Sequence, residues 1–188
     1  MNHQWTIPGT VLTIKRSDAV RVPELFQTMF LTGGVVLSQV INITGLEAYT
    51  VQNWVKRGFL PPPQHKRYDL DQVCRILLIN TFKSVLPMER ICGLLTYVNG
   101  HMDDRADDII RDSDLYFLFV RLAGQAREIG DADQADRMIR DYLGDYREPA
   151  PGAKDRVAKA LRVMLIGWLA SRMRQAAEEA LNEMEKEE

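Results

Sequence analysis

Apolar residues recur at helical spacing through most of this chain, and four breaks rich in Gly or Pro divide the pattern. The breaks are Gly33-Gly34, Pro61-Pro62-Pro63, Asn99-Gly100 and Glu148-Pro149-Ala150-Pro151-Gly152. Glycine loosens the backbone and proline removes a donor, so helices stop there. Between them, Leu25, Phe26, Met29 and Phe30 form one stripe, and Val36, Leu37, Val40, Ile41 and Ile43 another. Val73, Ile76, Leu77, Asn80 and Val85 predict a helix over Asp69 to Leu86, capped by Asp69 or Asp71. Pro87 opens the next, which Ile91, Leu94, Leu95 and Val98 carry to Asn99. Ser113 is placed to cap an apolar helix through Leu115-Tyr116-Phe117-Leu118-Phe119-Val120 and on to Ala126. Asp133 to Leu143 follows, closed by Gly144. Lys154 to about Lys186, without proline, reads as one helix of roughly 50 Å. The expected fold is all-α.

Leu37 to Pro61 carries the chemistry. A short helix to Ile43, a turn at Thr44-Gly45, and a second helix from Leu46 or Glu47 to Lys56 make a helix-turn-helix. Val40, Leu46, Val51 and Trp54 or Val55 supply its core. Tyr49, Thr50, Gln52, Asn53, Lys56 and Arg57 are left on the outer faces of the second helix. Such a helix fits the major groove, where Asn and Gln can bond adenine bidentately and Lys and Arg neutralise phosphate. Gln64-His65-Lys66-Arg67-Tyr68 is then a short polar wing, with Lys66 and Arg67 towards the DNA backbone.

The overall charge of −2 speaks against nucleic acid until it is divided along the chain. Leu37 to Arg90 carries +3 and Ile91 to Glu148 carries −6. Charge reports on partners and not on fold, and this division points to separate roles for the two regions. An acidic back half turns the basic face towards DNA.

Thr44, Gly45, Thr50, Trp54, Gly58, Leu60, Pro61 and Pro62, followed by Arg67, Tyr68 and Val73, resemble the DNA-binding domain of the MerR family. The likeness spans about Leu37 to Asn99 and implies a winged helix-turn-helix binding double-stranded DNA. Val51-Gln-Asn-Trp-Val-Lys-Arg-Gly58, the three prolines, Lys66-Arg67-Tyr68 and Arg75-Ile-Leu-Leu-Ile-Asn80 are also similar to a bacterial family, domain of unknown function 1836. So are Asn99-Gly100, Asp103-Asp104 and Ser113-Asp-Leu-Tyr116. Gln52-Asn53-Trp54 stands where MerR proteins usually place Arg-Tyr-Tyr, and the wing is several residues shorter. The MerR mechanism of promoter twisting does not carry over.

Other chemistries find little footing. There is no GxSxG, Walker loop, HExxH or Gly-rich dinucleotide turn, and the three histidines, His3, His65 and His101, are scattered, so no enzyme is expected. Cys74 and Cys92 sit at small apolar helix positions, so no disulfide, metal or cofactor is assigned to them. The acidic run His101 to Asp114 lacks the pattern of a calcium loop and reads as helix starts. Neither a signal peptide nor a membrane-spanning apolar run is visible, so a cytoplasmic location is expected.

The last helix is apolar nearly all round in its first half, which requires burial on more than one side. Leu161, Leu165, Trp168, Leu169 and Met173 are assigned to a homodimer face, which reading two half-sites demands. The expected organisation is residues 1–36 as an extension with a short helix, 37–100 as the DNA-binding domain, and 101–188 as a helical dimerisation region. The expected function is a sequence-specific, homodimeric regulator of transcription. Two alternatives remain. One is an adaptor whose acidic Asp103-to-Asp145 region binds a basic protein. The other is a sensor with a small-molecule pocket lined by Tyr116, Phe117, Phe119 and Tyr142.

Overall fold

A computed structural model describes residues 4–100, 108–126 and 132–186. Part of the acidic run, residues 101–107, and His3 lie outside these. Within them are eight α-helices: α1 (Val22–Met29), α2 (Leu37–Thr44), α3 (Ala48–Lys56), α4 (Leu70–Phe82), α5 (Met88–Asn99), α6 (Asp112–Gln125), α7 (Ala132–Tyr142) and α8 (Ala153–Met184). A 3-10 turn, Arg16–Arg21, precedes α1. Two small antiparallel sheets join β1 (Gln4–Thr6) to β2 (Thr13–Lys15) and β3 (Val35–Val36) to β4 (Arg67–Tyr68).

The core is built around α4. Seven successive residues, Val73 to Ile79, are buried, because α6 covers one flank while α5, α8 and the N-terminal segment close the others. Asp69 caps α4 by accepting from the Gln72 N–H at 2.8 Å, and the Gln72 carboxamide accepts from the Asp69 N–H at 2.9 Å. The helix stops at Phe82, four residues short of the expected Leu86, and Lys83 to Leu86 form the turn into α5. The Phe119 ring packs 5.3 Å from Phe82 on one side and edge-on to Trp168 at 6.2 Å on the other.

The first 36 residues are not an extension. β1 and β2 form a hairpin in register Trp5↔Ile14, and Trp5, Ile7, Val22 and Phe26 belong to the same core as α4 and α6. Gly9 makes this docking possible. Its φ is +75°, and a Cβ there would stand 2.2 Å from the Leu77 carbonyl oxygen. The Asn80 carboxamide donates to the Gly9 carbonyl at 2.8 Å and to the Thr44 carbonyl at 3.1 Å, so it fastens the hairpin and the end of α2 together. The Tyr116 hydroxyl donates to the Pro8 carbonyl at 2.8 Å from a fully buried ring. One contiguous core runs from Trp5 to Met164, so the three regions expected from the sequence pack as one body.

Two assignments are corrected. Ser113 is not the cap of α6. The helix begins at Asp112, Ser113 is buried in its first turn, and the Ser113 N–H donates to the Asp71 carboxylate at 3.1 Å. A carboxylate from another helix satisfies the open N–H that a local cap would have taken. Leu161 and Leu165 do not form an external face either. Both are buried within the chain, Trp168 and Leu169 are half-buried, and of the expected dimer residues Met173 alone is fully out, at 77% exposure.

Candidate nucleic-acid interface

Local rules place the α2–α3 unit. The Gln39 side chain accepts from the Val36 N–H at the start of α2. At its end Gly45 adopts φ +69°, the left-handed stop that glycine reaches without strain. The Thr44 hydroxyl donates to the Val40 carbonyl at 2.8 Å and accepts from the Leu46 N–H at 3.2 Å, which folds the turn back on α2. A Cβ at residue 45 would collide with Val11 of the N-terminal hairpin at 2.6 Å.

Glu47 is the first residue outside α3, which starts at Ala48, slightly later than expected. Val51 and Trp54 point inward with Leu46 and Val40, as the spacing predicts. Tyr49, Gln52, Asn53 and Lys56 are exposed, Tyr49 at 70%, and Thr50 is half-buried. The expected reading face is therefore polar and open. Arg57 follows it, with its guanidinium 4.6 Å from the Phe59 ring and 3.8 Å from the Glu89 carboxylate. That exposed pair partly screens the Arg57 charge.

The polar excursion after the prolines is a tight two-residue turn. Gln64 bridges to Arg67, and the Arg67 N–H donates to the Gln64 carbonyl at 2.8 Å. His65 and Lys66 both take positive φ, +49° and +62°, as a primed hairpin turn requires. Neither is the Asn or Gly that adopts this conformation cheaply, so the turn is strained and Lys66 is held at its tip. Arg67 is exposed, yet its guanidinium donates to the Gly34 carbonyl at 2.8 Å. With the β3–β4 pairing Val36↔Arg67, this ties the turn to the strand that leads into α2. The Gln72 carboxamide donates to the Pro61 and Pro62 carbonyls and holds the loop from below.

Behind α3 lies a buried polar connection that periodicity alone does not reveal. Arg75, 3% exposed in the middle of α4, donates from Nε to the Phe59 carbonyl at 3.0 Å and from Nη1 to Asp112 at 3.3 Å. Asn99 donates to the other Asp112 oxygen at 2.7 Å. Burial pushes the Asp112 carboxyl up to about 6, although Arg75 pulls it down, and the Asp71 charge adds to the rise. The signal in the sequence is an arginine inside an apolar run, Val73-Cys74-Arg75-Ile76. A buried cation needs a buried anion, and the sequence does not say which of many aspartates supplies it. Cys74 is buried, and its thiol is pushed well up by burial and the neighbouring aspartates, so it does not ionise readily. Among the described residues no group of three or more His, Cys, Asp or Glu is arranged to hold a metal ion. No helix among them is long and apolar enough to cross a membrane.

Of the residues expected around a small-molecule pocket, Tyr116 and Phe119 are fully buried in the core. Phe117 and Tyr142 instead line a surface cleft between α1, α6 and the segment after α7.

Residues 32–119 match the model of a family described as a domain of unknown function, DUF1836. The match takes in α2, α3, the strained turn, α4, α5 and the first half of α6, and so contains both Arg75 and Asp112. The chain is also similar to the uncharacterized protein YkrK of Bacillus subtilis (strain 168), with 31% identity over 80 residues. That stretch is 40% of this chain and 34% of the relative, so the chain spans about a third of the length of the curated protein it matches. No solved structure matches the chain.

Proposed function

We propose that this protein is a sequence-specific, DNA-binding regulator of transcription, acting as a homodimer through a MerR-like winged helix-turn-helix. The observation that carries the reading is the make-up of α3. Its inner face, Val51 and Trp54, is locked into the core, and its outer face presents Tyr49, Gln52, Asn53 and Lys56 to solvent. Any amphipathic surface helix braces its apolar face; what supports groove reading is that the open face of this one carries Gln52, Asn53 and Lys56, the side-chain types that bond base edges and phosphates. Gln52 and Asn53 read base edges, with Tyr49 and Thr50 beside them. Lys56 and Lys66 contact phosphates most directly, because Arg57 is shared with Glu89 and Arg67 is committed to the Gly34 carbonyl.

The homodimer is supported by a different face of α8 from the one expected. Val163, Ile166, Ala170, Met173, Ala177, Ala180 and Met184 follow one another at alternating steps of three and four, and all are exposed. That is a seam of period 3.5, the spacing of paired helices. Beyond Trp168, α8 rests on little of its own chain, and a bare helix of this length is marginal in water. A second copy supplies the missing surface.

The test is binding to genomic fragments as salt is varied. Four cationic side chains from each of two protomers predict a log–log slope of very roughly −4 to −7, since not every one reaches a phosphate. Affinity that ignores salt, or that survives Lys56→Ala with Lys66→Ala unchanged, overturns the reading.

A further inference from the structure

The cleft between α1, α6 and the segment after α7 measures about 810 Å³, within the range of about 300–1,000 Å³ common to small-molecule sites. Phe117, Leu118, Tyr142 and Tyr146 give it an apolar wall. Its charged residues balance in number, so net charge does not choose the ligand. Their pairing does. Arg111 and Asp114 neutralise each other through two hydrogen bonds, at 2.9 and 3.1 Å. Arg121 has no carboxylate partner among the described residues. Its guanidinium lies 4.5 Å from the Tyr142 ring, and its Nε is buried without a hydrogen-bond acceptor. The Nε is closed off from solvent, so the remaining N–H groups of the half-buried guanidinium, held beside an aromatic ring, are the ones prepared for a planar oxyanion.

We propose that this cleft binds a small aromatic carboxylate, its oxygens on Arg121 and its ring against Phe117 and Tyr142. The proposal stands apart from the DNA reading, since no nucleic acid enters it or its test. Titration calorimetry on the full chain with 2-naphthoate, 2-naphthylmethanol and 2-naphthylmethylamine separates the contributions. Naphthoate binds one per chain and at least about tenfold more tightly than the alcohol, the amine most weakly, a tenfold step being about 1.4 kcal/mol. Arg121→Gln removes the preference for naphthoate without affecting the alcohol, and Arg121→Lys restores part of it. Leu118→Trp, which fills the cleft, abolishes binding of both. Equal binding of the three probes, tighter binding of the amine, no heat up to millimolar probe, or naphthoate binding unaffected by a folded Leu118→Trp overturns the proposal.

Discussion

Arg75 and Asp112 meet 3.3 Å apart in the interior, and through them the loop that follows α3 is fastened at Phe59 to the start of α6. The arginine side chain is 4% exposed and the aspartate 13%, so both charges are largely withdrawn from water. Desolvation sets a high cost on each ion alone, and the pair with its hydrogen bonds offsets part of it, which is why the Asp112 carboxyl still stands above its ordinary range. Arg75→Met or Asp112→Leu alone should each cost about 3–5 kcal/mol in urea unfolding, because each strands the other charge. The double variant should recover most of that loss. Additive losses in the cycle would show that the two side chains do not depend on each other.

The same pair gives stability a particular pH dependence. Asp112 titrates near 6 in the fold against an ordinary 3.8, so the folded chain holds this proton more tightly than the unfolded chain. A raised carboxyl stabilises fully below its unfolded value, and that contribution is lost as pH rises through about 6. Unfolding free energies of the wild type and Asp112→Asn, measured from about pH 4 to 7, should therefore diverge. The wild type loses stability relative to the variant as pH rises across that window. A constant difference would place the Asp112 titration elsewhere.

Fold and function pull against each other at the turn beyond the prolines. Lys66 sits at φ +62°, where a side chain costs about 1–2 kcal/mol and glycine costs little. Lys66→Gly is expected to raise stability by about 1 kcal/mol while weakening DNA binding and reducing the salt slope by about 1 per contacting protomer. A thermal melt and a salt titration on the same sample read both effects. If affinity is unchanged while the melt rises, the turn contacts no phosphate.

Glu89 stands 3.8 Å from Arg57, with both side chains more than half exposed. Exposed pairs of this kind contribute about 0–1 kcal/mol to stability, so the fold has little need of it. Near DNA the carboxylate repels phosphate and competes for the arginine. Glu89→Gln should leave the melt within error and tighten DNA binding about threefold to tenfold at low salt, the gain fading as salt rises. A loss of affinity would mean that Glu89 orients Arg57 for its contact.

How much of this could be read in the sequence depends on whether a feature is local. Helical periodicity places α4, α5 and α8, and Gly45 with Val51 and Trp54 places the α2–α3 unit, since neighbours in sequence decide caps and faces. The N-terminal hairpin escapes such reasoning because its strands are three residues each and Gly9 is needed for a contact with Leu77, far along the chain. The capping of Ser113 by Asp71 and the partner of Arg75 escape it for the same reason. On α8, apolar residues cover nearly the whole circumference of the first half, so periodicity identifies a buried helix without saying which side its own core takes.

That choice of side separates two sets of substitutions on one helix. Leu161 is fully buried in the chain's own core, whereas Ile166 and Met173 are 59% and 77% exposed on the seam of alternating three and four. Leu161→Asp should unfold the chain, since a charge buried there has no partner. Ile166→Asp with Met173→Asp should leave the fold of each chain intact and halve the mass in solution, because the like charges would face each other across a two-fold interface. DNA affinity should fall with the mass, as a monomer engages a single half-site. Sedimentation equilibrium on the two variants decides the matter. A chain that sediments as a monomer before substitution, or that keeps its mass with both aspartates in place, would remove α8 as the dimer element and leave α3 to bind DNA as a single copy.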